Sequence, residues 1–216
     1  PKNDHVFKDN NEYYNVRNQL GIEIMSKILL YAPTFRDSTQ IPGHMDMSSY
    51  FVDYDILKET LEKKYGGSWT IMVKWHPLMR EALGSNPVSN VCAMDVTQYN
   101  DMQVLLKACD IVMSDYSSCI FDAALLGKPC FIYATDFDEY KEKRGVYYEM
   151  TELPFPYSKS TDELVNNILC FDEKEYRYKW NQFEKKTGLY EPGNASEIVA
   201  NKICQIVDGE RVNWDF

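Results

Sequence analysis

The 216 residues hold no Cys-x-x-Cys pair, no long apolar run and no excess of basic charge. Each absence removes a class of protein. The six cysteines (Cys92, Cys109, Cys119, Cys130, Cys170 and Cys204) stand singly, most of them in apolar segments. They read as small core residues of a reducing compartment, and neither a disulfide framework nor a zinc site is expected. No ligand spacing links the histidines, cysteines and acids, so no metal is expected. A membrane-spanning helix needs about 18 or more apolar residues, and a secretory signal needs a charged-then-apolar leader; neither pattern is found. The formal net charge of −10 has the wrong sign for a nucleic-acid surface or for electrostatic docking on anionic lipid. Position 1 is Pro, not Met, which reads as a piece cut from a longer chain.

What remains is an ordinary globule, 44% hydrophobic and 26% charged, of a length that suits one α/β domain with a sizeable core. The stretch Ala108 to Tyr133, ACDIVMSDYSSCIFDAALLGKPCFIY, organises it. Asp110 to Met113 reads as a buried strand, Cys119 to Leu126 as a helix, and Cys130 to Tyr133 as the next strand. Gly127 and Pro129 stop the helix, Gly by taking the left-handed cap and Pro by being unable to continue. Between strand and helix lies Ser114-Asp115-Tyr116-Ser117-Ser118. Small hydroxyl residues at a helix start, at the C-terminal end of a strand, leave backbone N–H groups approachable by a phosphate. Ser114, Ser117 and Ser118 are therefore candidate phosphate contacts. Asp122, one turn on, can accept hydrogen bonds from ribose hydroxyls. The plainer alternative is that the serines cap the helix and Asp122 complements its dipole.

Around this unit the chain reads in order. Residues 1 to 10 are polar and aperiodic, as in an interdomain linker, and 11 to 216 form the domain. Asn11 to Leu20 reads as a short helix and Lys27 to Ala32 as the first strand, ended by Pro33. Thr34 to Ser49 is a long loop of the kind that carries function. Arg36 leaves that strand's C-terminal end, where it can grip a phosphate with two prongs or pair with Asp37 or Asp46 on the surface. His5 and His44 read as solvated. Asp55 to Tyr65 is an amphipathic helix and Trp69 to Lys74 a strand. It runs into His76-Pro77, where Pro77 keeps His76 out of helical geometry and can open a helix over Leu78 to Leu83. His76 can donate to a diphosphate oxygen, offset charge on a departing nucleotide, or simply bond a loop carbonyl. Lys74 points the same way from the strand, as a phosphate contact or an ion-pairing residue.

Val91 to Met94 reads as a strand and Asp101 to Lys107 as a helix. Asp136 to Gly145 reads as a charged, aromatic-laced loop bearing Arg144 next to a Gly free to turn sharply. Leu153 to Pro156 is a turn. Thr161 to Cys170, Glu173 to Lys186 and Ala195 to Val207 read as helices. Tyr176, Trp180 and Phe183 recur at helical spacing as a core stripe. No repeat, low-complexity tract or second domain is evident. The alternation of strands and helices predicts a doubly wound, Rossmann-like α/β domain with a mostly parallel sheet.

The stretch SDYSSCIFDAALLGKP resembles the CDP-glycerol glycerophosphotransferases that build teichoic-acid-type polymers. ILLYAPTFR (Ile28 to Arg36), Lys74-Trp75-His76-Pro77, DFDEYKEKRGVY (Asp136 to Tyr147), Gly193-Asn194-Ala195-Ser196 and Pro1-Lys2-Asn3-Asp4 are similar to further motifs of that family, in order over nearly the whole chain. The resemblance implies the C-terminal, donor-binding half of a GT-B fold, with the N-terminal acceptor domain absent. It implies CDP-glycerol or CDP-ribitol as donor substrate, no cofactor, and transfer of alditol phosphate to a hydroxyl of a cell-wall or capsular polymer with release of CMP. Arg36 and the Ser117-Ser118 helix start would hold the diphosphate and Asp122 the ribose. His76 would steady charge at the transferring phosphate, and Arg144 would reach the diphosphate or the phosphoglycerol. The family's acceptor-activating histidine has no counterpart here, so the piece is expected to turn over little alone. The polymer or lipid-linked acceptor would meet the missing domain. A cytoplasmic location is implied, with any contact with the inner face of the plasma membrane coming from the rest of the protein. Two other classes share parts of the pattern: a GT-B glycosyltransferase or sugar-nucleotide epimerase using a UDP-sugar, and a non-catalytic nucleotide-binding module.

Overall fold

Every residue of the strand Lys27–Ala32 (β1) after the first is buried. A strand apolar on both faces has to be covered on both, and a parallel sheet between two layers of helices does that. With strands numbered in chain order, β1 pairs in parallel with β2 (Trp69–Val73), Leu29 opposite Ile71, and with β4 (Ile111–Ser114), Tyr31 opposite Met113. β3 (Ala93–Asp95), β5 (Cys130–Tyr133) and β6 (Tyr157–Ser158) extend the sheet to the order β3-β2-β1-β4-β5-β6. All described pairings are parallel. This computed structural model describes residues 3–8, 12–36, 48–77, 79 and 92–210.

The period of two along β1 separates the cores. Ile28, Leu30 and Ala32 face a layer of α1 (Asp4–Lys8), α2 (Glu12–Leu20), α4 (Met102–Ala108), α5 (Cys119–Leu125) and α8 (Glu173–Thr187). Leu29 and Tyr31 face α3 (Tyr54–Tyr65) and α7 (Thr161–Leu169). The doubly wound expectation is met. The stripe Tyr176, Trp180 and Phe183 is buried in the first layer, as its spacing implied. The chain builds outward from β1 to β2 and β3, then returns to β1's other side with β4. This reversal opens a crevice at the C-terminal strand ends between β1 and β4, where doubly wound sheets bind ligands.

Local chemistry fixes the helix boundaries. Asp53, Asp101, Ser160 and Asp172 each accept a backbone N–H at a helix start, from Ile56, Val104, Glu163 and Glu175, which satisfies donors a helix cannot pair internally. Gly127 ends α5's turn at φ 74°, a conformation that side-chain-bearing residues seldom adopt.

Two expectations change. Residues 1 to 10, read as an aperiodic linker, include α1. Its Val6 is fully buried, and Asp4 accepts the N–H groups of Ala195 and Ser196 at the start of α9 (Ala195–Val207). Five residues are too few to show a period. A Cβ on Gly193, just before α9, would lie 2.8 Å from Phe7 Cβ, so α1 packs closely on that turn.

Asp136 to Gly145, read as a loop, contains the helix α6 (Phe137–Arg144). It is charged on most of its circumference and so lacks a stripe to read, yet Lys143 pairs with Glu139 one turn away. The turn after it includes a 3-10 stretch, Met150–Glu152, and leads into β6, too short to see in advance. The helix expected over 78 to 83 falls outside the described residues except for Met79, which is buried; His44 also falls outside.

The cysteines divide evenly. Cys109, Cys119 and Cys130 are buried, Cys92 is half-buried, and Cys170 and Cys204 are exposed; all are unbridged. Burial pushes the Cys130 thiol up to about 12. Among the described residues no helix is long and apolar enough to cross a membrane.

Candidate functional site

The turn after β4 is built around a buried carboxylate. Ser114, the last residue of the strand, is fully buried, and its hydroxyl donates to the Ala32 carbonyl at 2.6 Å. That bond joins β4 to β1 and takes Ser114 off the expected phosphate surface. Asp115 is 3% exposed. It accepts from Thr34 N at 2.9 Å, Tyr116 N at 2.6 Å and an Arg36 guanidinium nitrogen at 2.8 Å. The turn then reaches the surface. Ser117 is half-buried, with its hydroxyl 3.4 Å from Cys119 N. Ser118 stands exposed at the start of α5, and its side chain makes no capping hydrogen bond. The serine expectation is thus divided: Ser114 inside, Ser117 and Ser118 at the crevice.

Arg36 was expected on a diphosphate. The structure gives it other partners. Its Nε and one terminal nitrogen bond both oxygens of Asp136, at 2.7 and 3.1 Å; the other terminal nitrogen bonds Asp115 and the Thr34 carbonyl. The guanidinium carbon lies 4.5, 5.0 and 5.3 Å from the ring centres of Tyr116, Tyr50 and Tyr140. Burial opposes the Arg36 charge, but the two carboxylates outweigh it and raise its pKa. Burial likewise pushes Asp136 up, while Arg36 and the Tyr116 hydroxyl bring it below the usual carboxylate value. Tyr116 is driven upward by burial and by Asp136. Asp37, the surface partner considered for Arg36, is outside the described residues, as is Asp46.

Asp122 lies inside the first turn of α5 and is 8% exposed. One oxygen accepts from Asn3 Nδ2 at 3.1 Å, the other from Gln103 Nε2 at 3.4 Å. These two bonds fix the orientation of the Asp122 carboxylate.

The turn after β2 brings His76 to the same end of the sheet. Lys74 N donates to the Tyr31 carbonyl at 2.9 Å and Trp75 N to Thr97 Oγ1 at 3.0 Å. Trp75 is buried edge-on to Tyr31 and Tyr50. The Lys74 ammonium donates to the carbonyls of Thr97 and Tyr99, and burial lowers its pKa, with Asp95 opposing. Lys74 therefore braces the turn and does not extend into the crevice. His76 itself is exposed, its ring 5.8 Å from that of Phe35. His5, expected to be solvated, lies 3.3 Å from Asp101. Arg144 closes α6, eight residues along from Asp136, roughly 12 Å at the helical rise.

β2 and β4 lie on either side of β1, so the His76 and serine turns leave the sheet roughly 10 Å apart, two strand spacings. Sequence reasoning singled out neither Asp115, Asp136 nor Asn3. The signal for Asp115 was its place inside the serine turn; Asp136 and Asn3 stood within stretches similar to family motifs, but nothing in the sequence named their partners. Among the described residues no group of three or more His, Cys, Asp or Glu side chains is placed to hold a metal.

The family model for CDP-Glycerol:Poly(glycerophosphate) glycerophosphotransferase matches residues 1–205. The chain belongs to this family. The teichoic acid poly(glycerol phosphate) polymerase of Bacillus subtilis strain 168 is 30% identical over 209 residues, covering 94% of this chain and 27% of that protein. The teichoic acid glycerol-phosphate transferase of Staphylococcus aureus strain NCTC 8325 is 30% identical over 214 residues, 96% of this chain and 52% of that one. The solved wall teichoic acid polymerase TagF superposes with a TM-score of 0.71 at 28% identity, over 96% of this chain and 50% of its own. The chain thus spans about a quarter to a half of these relatives. The fold of the family's C-terminal, GT-B donor domain is therefore the fold found here.

Proposed function

We propose that this domain holds a CDP-alditol in the crevice between β1 and β4, and that the whole protein transfers alditol phosphate from it to a polymer hydroxyl. The observation that carries the reading is the pair of turns. A helix start preceded by two serines, one half-buried and one exposed, and an exposed histidine on a braced turn flank the switch point, within the span of a diphosphate and its alditol. Ser117 and Ser118, through hydroxyl and backbone N–H, face the diphosphate. Asp122, oriented by Asn3 and Gln103, accepts from the ribose hydroxyls. His76 offsets charge at the transferring phosphate, which is the principal demand of phosphoryl transfer.

The acceptor oxygen forms a bond to the β-phosphorus while the bond from that phosphorus to the bridging oxygen breaks. CMP leaves with the electron pair, and the acceptor's proton passes to a base in the preceding domain. A cytoplasmic site on the inner face of the plasma membrane fits such an acceptor. Val199, Ile203, Ile206 and Val207 of α9 are exposed, and a preceding domain would cover part of that apolar surface. The piece alone turns over little for want of the base.

Calorimetric titration with CDP-glycerol, CMP and UDP-N-acetylglucosamine tests the reading, with Asp122→Ala and His76→Ala beside the wild type. Binding of the cytidine ligands, weakened by both substitutions, is expected. Binding of the uridine ligand alone would reassign the domain to the sugar transferases.

A further inference from the structure

We infer that Arg36, Asp115 and Asp136 form a clamp that positions the serine turn, so that Arg36 acts on the donor through Tyr116 and Ser117 and not by touching it. This rests on the donor-site reading above. Arg36 is 5% exposed. Four of its guanidinium bonds end on protein: two on Asp136, one on Asp115 and one on the Thr34 carbonyl. Three tyrosine rings surround it. For a phosphate to reach this guanidinium, an ion pair with a buried carboxylate would have to open, leaving that carboxylate uncompensated.

The clamp converges on Tyr116, the residue before Ser117. Its N–H donates to Asp115 at 2.6 Å and its hydroxyl to Asp136 at 2.8 Å. Its ring stacks on Tyr140 with centres 3.6 Å apart and lies under Arg36. Tyr116 is thus fixed at both ends and on its ring, and the serines that follow inherit that placement. The three segments involved follow three adjacent strands: Thr34 and Arg36 after β1, Asp115 and Tyr116 after β4, Asp136 and Tyr140 after β5. One cation against two carboxylates also means that the clamp adds no positive charge to the crevice. The charge of a diphosphate is left to backbone N–H groups and His76.

Asp136→Asn separates a positioning role from direct contact. If Arg36 were a ligand, removing the charge it faces would release it toward the diphosphate, and CDP-glycerol would bind as well or better. As a positioning residue, its loss of Asp136 loosens Tyr116. We expect CDP-glycerol affinity in the full chain to fall about tenfold in Asp136→Asn and in Arg36→Lys. The double variant should be no weaker than the worse single, as for residues acting as one unit. Amide resonances of Ser117 and Ser118 should shift in Asp136→Asn, while those of Tyr176 to Phe183 on α8 stay in place, a pattern that general destabilisation would not give. Unchanged or tighter binding, additive losses, or unmoved Ser117 and Ser118 amides would overturn the clamp. A wild type that binds no CDP-glycerol would instead remove the donor reading, with the amide shifts still deciding the clamp.

Discussion

The serine turn and the histidine turn leave strands on either side of β1, at the same end of the sheet, but they are held by different forces. The first is fixed by charge: a buried arginine between two carboxylates, closed over by tyrosines. The second is fixed by neutral hydrogen bonds, a buried tryptophan and a lysine on two carbonyls, and it leaves its histidine exposed. A diphosphate needs a rigid frame, because misplaced N–H donors lose most of their value. A group meant to follow charge from ground state to transition state is better placed on a side chain that can adjust. On the proposed function, the domain would separate holding from chemistry.

The comparison breaks first, and hardest, at Arg36. Arg36→Met leaves Asp115 buried without its cation and should cost about 3–5 kcal/mol, read from urea unfolding. A loss comparable to that of a surface residue would mean that the cage is not what fixes the turn. His76→Ala should do the opposite. Turnover of the full-length protein should fall about 100-fold or more, while unfolding free energy stays within about 0.5 kcal/mol. A large stability loss would erase the distinction between the turns. Ser114→Ala removes a buried bond to Ala32 and should cost about 1–2 kcal/mol. The same unfolding measurement would correct us if the hydroxyl proved dispensable to folding yet needed for donor binding.

Acid provides a finer probe. Asp136 has a folded pKa below its unfolded value of about 3.9. Its stabilisation is therefore complete above that value and is lost as pH falls through the folded pKa. The stability difference between wild type and Asp136→Asn, measured at pH 7 and again near pH 3, should shrink. A constant difference would mean that the carboxylate's charge is not what Arg36 holds. Phe35→Ala, which removes the ring beside His76, should give the smallest effect, a few-fold change in turnover with little change in donor affinity.

Much of this was legible in the residues. β1 and β5 fall where their apolar runs put them, and α9 covers its expected span. The Asp and Ser residues before α3, α4, α7 and α8 mark their starts within a residue or so. The two turns could be read because each is local, a strand end followed by capping residues or by Pro. What could not be read was partnership at a distance. Arg36 meets Asp115 79 residues later and Asp136 100 residues later. Asn3 meets Asp122 119 residues later. Position and motif single out Arg36 and Asp122 in the sequence, but no period or spacing marks which residue each one meets. α6 escaped for a related reason: it is anchored by buried Phe137 and by Tyr140 stacked on Tyr116, contacts distant in sequence, and not by an apolar stripe.

The sequence by itself determined the alternation of strands and helices, the parallel sheet that follows from strands apolar on both faces, and the family, through motifs in order along the chain. Those are consequences of neighbours, where propensity and pattern act over a few residues. Only the tertiary structure decided which of the expected phosphate ligands face the crevice and which support it. A side chain's role there depends on which charges the fold brings within about 3 Å, and in this domain those charges come from the ends of three different strands.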